Sequence, residues 1–324
     1  MRGAAPQGGQ PRRHALGIDV GGTKTAGGIV DLLTGAVVAR RQIVTDHQRG
    51  AAAVLDDTRA MARGLQAEAL RLGLEVQALG VGVAELVDRA GRVFSDHRIP
   101  WSGLDVAGVL DAVLPTVVSA DVRAAALAEA RFGAGRGRAD FYFVTIGTGI
   151  AGVLVLDGVP YAGSRGAALV IANSQERHRC PACHHEHRFM IEDVASGPAI
   201  AAAFGVTAAE AVLAAARDGD KRALGVIDRA TVELGRVLAL LADSLDPALM
   251  IIGGGLGCAP GPYFDALRRH IRAGLWDGVE HPMLLTQAEL GPDAGLVGAA
   301  LATETFNQPR HRSITPSEKQ GEKT

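Results

Sequence analysis

Residues 17 to 24 read GIDVGGTK, and the reading of this stretch decides the fold. Gly17 and Gly22 have the four-residue gap of a P-loop, but Thr23 precedes Lys24, the reverse of the order a P-loop needs. A P-loop also runs directly into a helix whose N-terminus faces the phosphates. Here the continuation is TAGGIVDLLTGAVVAR. Gly27 and Gly28 oppose a helix, and GGIVD and AVVAR read as short strands around the turn LLTG. The pattern is therefore strand, glycine turn, strand, turn, strand. Such a turn exposes the N–H groups of Gly21 and Gly22, adds the Thr23 hydroxyl, and has Lys24 next to it. Asp19, at the end of the first strand, is placed to hold a magnesium ion against phosphates. An ordinary glycine-rich hairpin has the same local sequence, so the reading needs further support.

A second stretch supplies it. FYFVTIGTGIAGVLVLDGVPYAG, from residue 141, contains an apolar strand over 141–146, the turn Gly147-Thr148-Gly149, and a second apolar strand over 150–156, with LDGV closing the hairpin. This repeats the design of the first motif more than a hundred residues later. It suggests a duplicated α/β unit with one phosphate-binding turn in each half and a nucleotide in the cleft between them. A third element, DPALMIIGGGLGCAP, is a buried strand over 249–252 ending in Gly253, Gly254 and Gly255. Three glycines permit close approach of a flat ring or sugar to the backbone.

Composition bounds the rest. The 324 residues suffice for two α/β domains with cores of their own. A formal net charge of −2 gives no reason to expect nucleic acid or a membrane surface as partner. Three cysteines suit a reducing compartment and cannot form a disulfide framework. No apolar run reaches transmembrane length, and MRGAAPQGGQPRRH lacks the apolar core of a signal peptide. The expectation is a soluble cytoplasmic protein. Residues 1–14 and 307–324 are polar, Pro-dotted and expected to be disordered. Between them the sequence implies an N-terminal domain over 15–120, a larger C-terminal domain over 121–292, and a C-terminal helix near 293–306 that returns to complete the first.

The ordered set GIDVGGTK, VGVAELVDRAGRV, ADVRAAALAEARFGAGRG, TIGTGIAGVLVLDG, YAGSRGAA, EDVASGPAI, DPALMIIGGGL and AELGPDAGLVGAALA resembles the ROK family (repressors, open reading frames, kinases), within the sugar-kinase, Hsp70 and actin superfamily. The resemblance runs from about residue 15 to 302. It implies an α/β fold of two ribonuclease-H-like (actin-like ATPase) domains, ATP and Mg²⁺ in the cleft, and phosphoryl transfer to a sugar hydroxyl. It also implies a homodimer. ROK repressors carry an N-terminal winged helix-turn-helix. Here the kinase-like pattern begins at about residue 15, which leaves no room for one.

The family's base is the Asp of an N-D-x-N segment. The matching stretch is SADVR, so the resemblance makes Asp121 the base that accepts the acceptor's hydroxyl proton. Asp121 also suits the N-cap of the Ala-rich helix 122–131. Arg123, two residues on, is within reach of an ion pair that would lower the carboxylate's basicity. The acceptor pocket departs from the family. Ala84-Glu85 replaces Pro-Gly of G-x-P-G-x-V-D, and Ala120 and Arg123 replace the two Asn flanking the Asp. Val170 and Asn173 replace the Glu and His of G-E-x-G-H, and Arg98 stands about where an Asn contacts sugar. Glu192, from the family's C-L-E, is retained. The substrate set implied is therefore Glu192, Asn173, Arg98 and Arg123, in a pocket rebuilt for a different acceptor. In the family, the missing Glu and His hold hydroxyls at the C1–C2 end of the ring. Their loss points away from glucose and towards a modified sugar, an aminosugar or a C7-cyclitol, compounds that relatives phosphorylate in actinobacterial secondary metabolism; glucokinase or N-acetylhexosamine kinase activity, the family's ordinary one, is the alternative.

The family's zinc motif, C-x-C-G-x-x-G-C, is also altered. In ERHRCPACHHEHRFMIED, within an insert over 174–192, Met190 stands at the third Cys. Yet Cys180 and Cys183 have C-x-x-C spacing, and His185 and His187 follow, with His178 and His184 nearby. Zn²⁺ on Cys180, Cys183, His185 and His187 is the metal expectation. Two function classes remain: a small-molecule kinase, and a sugar-sensing protein that keeps the fold without turnover. Retention of Asp19, Thr23, Gly147, Thr148, Gly149 and Asp121 favours the first.

Overall fold

The computed structural model describes residues 13–173, 175–179, 183–276 and 283–304. The two expected disordered tails lie almost wholly outside these residues.

The first motif folds as the alternation of its sequence requires. Strands β1 (His14–Val20), β2 (Lys24–Asp31) and β3 (Val37–Val44) form an antiparallel meander. Helix α1 (Ala51–Arg71) then crosses to β4 (Val76–Val83), which lies parallel to β1. After the short helix α2 (Val106–Asp111), β5 (Thr116–Ala120) adds in parallel at the edge. The sheet order is β3-β2-β1-β4-β5. Strand β5 passes without a loop into α3 (Asp121–Phe132), so Asp121 sits on a strand-to-helix corner.

The second sheet repeats the beginning of this plan. Strands β6 (Phe141–Ile146), β7 (Ile150–Leu156) and β8 (Val159–Pro160) form an antiparallel meander. A hairpin follows, β9 (Gln175–Arg179) with β10 (Glu186–Met190). Helices α4 (Glu192–Ala195), α5 (Gly197–Phe204), α6 (Ala209–Arg217) and α7 (Lys221–Leu245) come next. Strand β11 (Leu249–Gly253) joins β6 in parallel and turns at once into the short helix α8 (Gly254–Gly257). Helix α9 (Pro262–Gly274) leads to β12 (Leu284–Gln287), parallel to β11. The order is β12-β11-β6-β7-β8.

Period-2 alternation divides the apolar side chains of this sheet between two cores. Phe141, Phe143, Val153, Val155, Leu249 and Ile251 face the cluster that continues through Val122 and Ala126 of α3 into the first sheet. Tyr142, Val144, Ile146, Met250 and Ile252 face the cluster beneath α4 to α9. Helix α10 (Ala294–Ala302) leaves the second sheet and packs against α3, β1 and β4. Its approach is too close for side chains. A Cβ at Gly17 would lie 1.9 Å from the Leu296 carbonyl oxygen, and one at Gly80 would lie 1.7 Å from that of Ala299. Gly17, the first glycine of the opening motif, therefore seats a helix rather than a phosphate.

Glu129 fixes the two chain crossings to each other. Its buried carboxylate accepts the backbone N–H groups of Ala134 (2.8 Å), Leu290 (2.9 Å) and Glu289 (3.1 Å). One of these follows α3 into the second sheet, and the other two lead from β12 back to α10.

Candidate active site

Two acids meet where the first sheet ends. Asp19 lies at the C-terminal end of β1, and Asp121 opens α3 after the neighbouring β5. Gly82 of β4 separates them: a Cβ there would be 3.6 Å from both the Asp121 Cα and an Asp19 carboxylate oxygen. Both residues are half-buried. Burial pushes the Asp19 carboxyl up to about 6, against a smaller opposing pull from Lys24. Asp121 is pushed up to about 7, first by burial and then by the charge of Asp19, with Glu85 adding to the rise. The Val122 N–H, donated to its Oδ1 at 2.6 Å, and the positive charge of Arg123 pull the other way. Among the described residues Asp19 accepts no hydrogen bond.

The first glycine turn follows Asp19 directly, and the second lies beside the third. Gly21, Gly22 and Thr23 join β1 to β2, with the Gly21 N–H on the Lys24 carbonyl and the Lys24 side chain exposed. Gly147, Thr148 and Gly149 join β6 to β7, and the Gly147 N–H is closed onto the Gly149 carbonyl. A Cβ at Gly147 would find only the Gly255 nitrogen, at 3.8 Å, and one at Gly255 would find nothing within 4 Å. On their Cβ side those two backbones face open space. The other glycines of the third turn have different work. Gly254, at φ +81°, would drive a Cβ to 2.4 Å from the Ile146 carbonyl oxygen, and Gly253 is packed on Phe143. Of the three, Gly255 alone would carry a Cβ into open space.

Between the first two turns runs Arg98. Its side-chain carbons lie beside Gly22, where a Cβ would be 3.7 Å from Cδ. Its Nη2 donates to the Glu192 carboxylate at 3.0 Å and to the Thr148 carbonyl at 3.4 Å. Glu192 uses its other oxygen to accept the Ile150 N–H at 2.7 Å, and the His97 ring lies 3.6 Å from it.

What holds this loop is Glu85, recorded in the sequence only as a departure from Pro-Gly. Its buried carboxylate accepts the Ser95 hydroxyl, the N–H groups of His97 (2.8 Å) and Ile99 (2.7 Å), and the Arg98 N–H. A carboxylate so fully bonded fixes the loop rather than reaching into the cleft. The signal was an acid in the apolar run LGVGVAELV; its partners, ten to fourteen residues on, had no local signature.

Arg123 goes elsewhere than Asp121. It is buried, with Nη1 on the Gly166 carbonyl at 3.0 Å and Nη2 on the Val87 carbonyl at 2.8 Å. No ion pair joins it to Asp121 among the described residues; a buried guanidinium with several donors is held by the carbonyls its loops present. Asn173 is half-buried, and the Val170 side chain is exposed. In the insert, β9 and β10 set His187 opposite His178, and Cys183 and His185 are exposed in the connection. Cys180 lies outside the described residues. Among the described residues no three His, Cys, Asp or Glu side chains converge as a metal site. A separate surface cavity of about 420 Å³, lined by residues of α7 and α9 such as Leu224, Asp228 and Arg269, includes no residue of the glycine turns and neither acid. No single helix among the described residues is long and apolar enough to cross a membrane.

Comparison with known proteins agrees with this geometry. The ROK family profile matches residues 15–305. Over 311 residues the chain is 30% identical to a glucokinase of Streptomyces coelicolor, covering 88% of this chain and 96% of that protein. Over 296 residues it is 30% identical to an N-acetylmannosamine kinase of Citrobacter koseri, covering 89% and 98%. Among solved structures, a ROK family glucokinase from Streptomyces griseus in complex with glucose and AMPPNP superposes with a TM-score of 0.76 at 29% identity, covering 89% of this chain and 98% of that one. The ROK hexokinase from Thermus thermophilus gives a TM-score of 0.73 at 29% identity, covering 91% and 100%. With two five-stranded sheets of the actin-like ATPase fold and a profile match over most of its length, this chain belongs to the ROK family.

Proposed function

We propose that the chain is an ATP-dependent sugar kinase that phosphorylates a primary exocyclic hydroxyl of a hexose-like acceptor. The observation that carries this is the pair Asp19 and Asp121 at the sheet end, beside the Gly21–Thr23 turn, which Arg98 links to the Gly147–Gly149 turn. Asp121, with its carboxyl pushed to about 7, is poised to accept the proton of the attacking hydroxyl near neutral pH. The turns Gly21–Thr23 and Gly147–Gly149 supply N–H and hydroxyl groups for the phosphates, and Gly255 leaves room for the nucleoside end. Asp19 would hold Mg²⁺, which when bound neutralises phosphate charge. The glucokinases and N-acetylmannosamine kinases among the relatives support the sugar-kinase reading.

Within that activity, the acceptor preferred is a modified sugar, an aminosugar or a C7-cyclitol over glucose. Support comes from the pocket side: Val170 and Asn173 stand at the family's Glu and His positions, and the Val170 side chain is exposed where a hydroxyl-bonding carboxylate would be. A site lacking those partners gains nothing from the hydroxyls they would bind.

The test is ADP release with a panel of hexoses, N-acetylhexosamines, aminosugars and cyclitols, for wild type and Asp121→Asn. Turnover should be highest with a modified acceptor and fall about 10²–10⁴-fold in the variant. Efficiency with glucose equal to that with every modified acceptor would remove the preference. Bound ATP without turnover on any acceptor would replace the kinase with a sugar sensor.

A further inference from the structure

We propose that Arg98 serves the transferred phosphoryl group rather than the acceptor: it is an arginine, delivered by its own chain, that binds the γ-phosphate and stabilises it during transfer. The inference rests on the ATP-dependent reading above and deepens it. Three observations carry it. The Arg98 side chain bridges the two phosphate turns, with Cδ beside Gly22 and Nη2 on the Thr148 carbonyl, next to Gly149. Its backbone is locked by Glu85, which accepts the N–H of Arg98 and of both its neighbours. Among the described residues its Nε and Nη1 donors have no partner, while Nη2 carries both contacts.

A guanidinium placed between two phosphate turns meets the group that must pass between them. In the transfer, the acceptor oxygen forms a bond to the γ-phosphorus as the bond from phosphorus to the β–γ bridging oxygen breaks. The electron pair of that bond leaves on ADP, and the hydroxyl proton passes to Asp121. Charge on the three non-bridging γ-oxygens has to be met throughout, and a planar fork of N–H donors suits them. Glu192 holds the guanidinium by one hydrogen bond and so keeps it between the turns. It is itself tied to the Ile150 N–H at the second turn. An acceptor-binding Arg98 would instead be independent of the number of phosphates on the nucleotide.

That difference gives the test. Calorimetric titration with Mg·AMPPNP and Mg·ADP, without acceptor, should be run on wild type, Arg98→Ala and Arg98→Lys. The expected result is a loss of about tenfold or more in AMPPNP affinity for Arg98→Ala, with ADP affinity changed less than about twofold and Arg98→Lys intermediate. Circular dichroism and an unchanged ADP affinity establish that the variant is folded. Steady-state turnover should fall about 10³-fold in Arg98→Ala, in kcat more than in the acceptor's KM. Equal AMPPNP affinity in wild type and Arg98→Ala would overturn the proposal while leaving the kinase reading intact. A wild-type chain that binds neither nucleotide would overturn both.

Discussion

Replacing Asp121 with Asn should make the protein more stable and less active at once. In the folded chain the Asp121 carboxyl rises from the usual 3.8 to about 7, because it is buried and faces Asp19 and Glu85. At 1.36 kcal/mol per unit, that rise amounts to about 4 kcal/mol. Between those two values the folded protein holds a proton that the unfolded chain has released. Stability from this group is therefore greatest below about pH 4, declines as pH rises, and reaches its full penalty above about 7. Asn keeps the oxygen that accepts the Val122 N–H and removes the charge. With part of the strain relieved by water in the open cleft, Asp121→Asn should gain about 2–4 kcal/mol at pH 8 and almost nothing at pH 4. The assay is urea or thermal unfolding of both proteins across pH 4–8, without nucleotide or metal. A variant less stable than wild type at pH 8, or a gain that does not change with pH, would refute the reasoning that the Asp121 carboxylate is held against burial and the charge of Asp19.

The same carboxyl predicts the pH profile: kcat/KM should rise through about pH 7 in wild type, since Asp121 must be ionised to take the proton, and a flat profile over pH 6–8 would contradict that. Glu129→Ala leaves the N–H groups of Ala134, Glu289 and Leu290 without their shared buried acceptor, so unfolding should show a loss of about 3 kcal/mol or more, with Glu129→Gln between it and wild type. The third turn should split: Gly254→Ala meets positive φ and the Ile146 carbonyl and should cost about 3 kcal/mol or more, measured by unfolding. Gly255→Ala should leave stability within about 0.5 kcal/mol and instead weaken ATP binding by calorimetry.

The parts of this structure legible in the sequence were those written in local pattern. The hairpins around Gly21-Gly22 and around Gly147–Gly149, the buried strand before Gly253, and the helix after Asp121 all follow from alternation, glycine and Ala-rich runs. Strand β2 begins three residues earlier than GGIVD implied, because pairing with β1 extends through Thr25. What local pattern does not carry is the choice of partner over long separations. Glu85 organises residues 95–99, Arg123 serves carbonyls at 87 and 166, and Gly17 seats a helix almost three hundred residues away. Each is a polar or small residue whose role depends on what the fold brings to it. Two glycines in one motif can thus have different roles: Gly22 lies in the β1–β2 turn beside Arg98, and Gly17 admits α10.

The central claim is phosphoryl transfer from ATP to a primary hydroxyl of a sugar-like ring. The most direct measurement is phosphorus NMR of the product formed from Mg·ATP and the acceptor panel, with carbon-coupled assignment of the esterified position. The expected product is a phosphomonoester on the exocyclic CH₂OH carbon, formed by wild type and absent with Asp121→Asn. A ring-hydroxyl ester, or product formed equally well by Asp121→Asn, would contradict it.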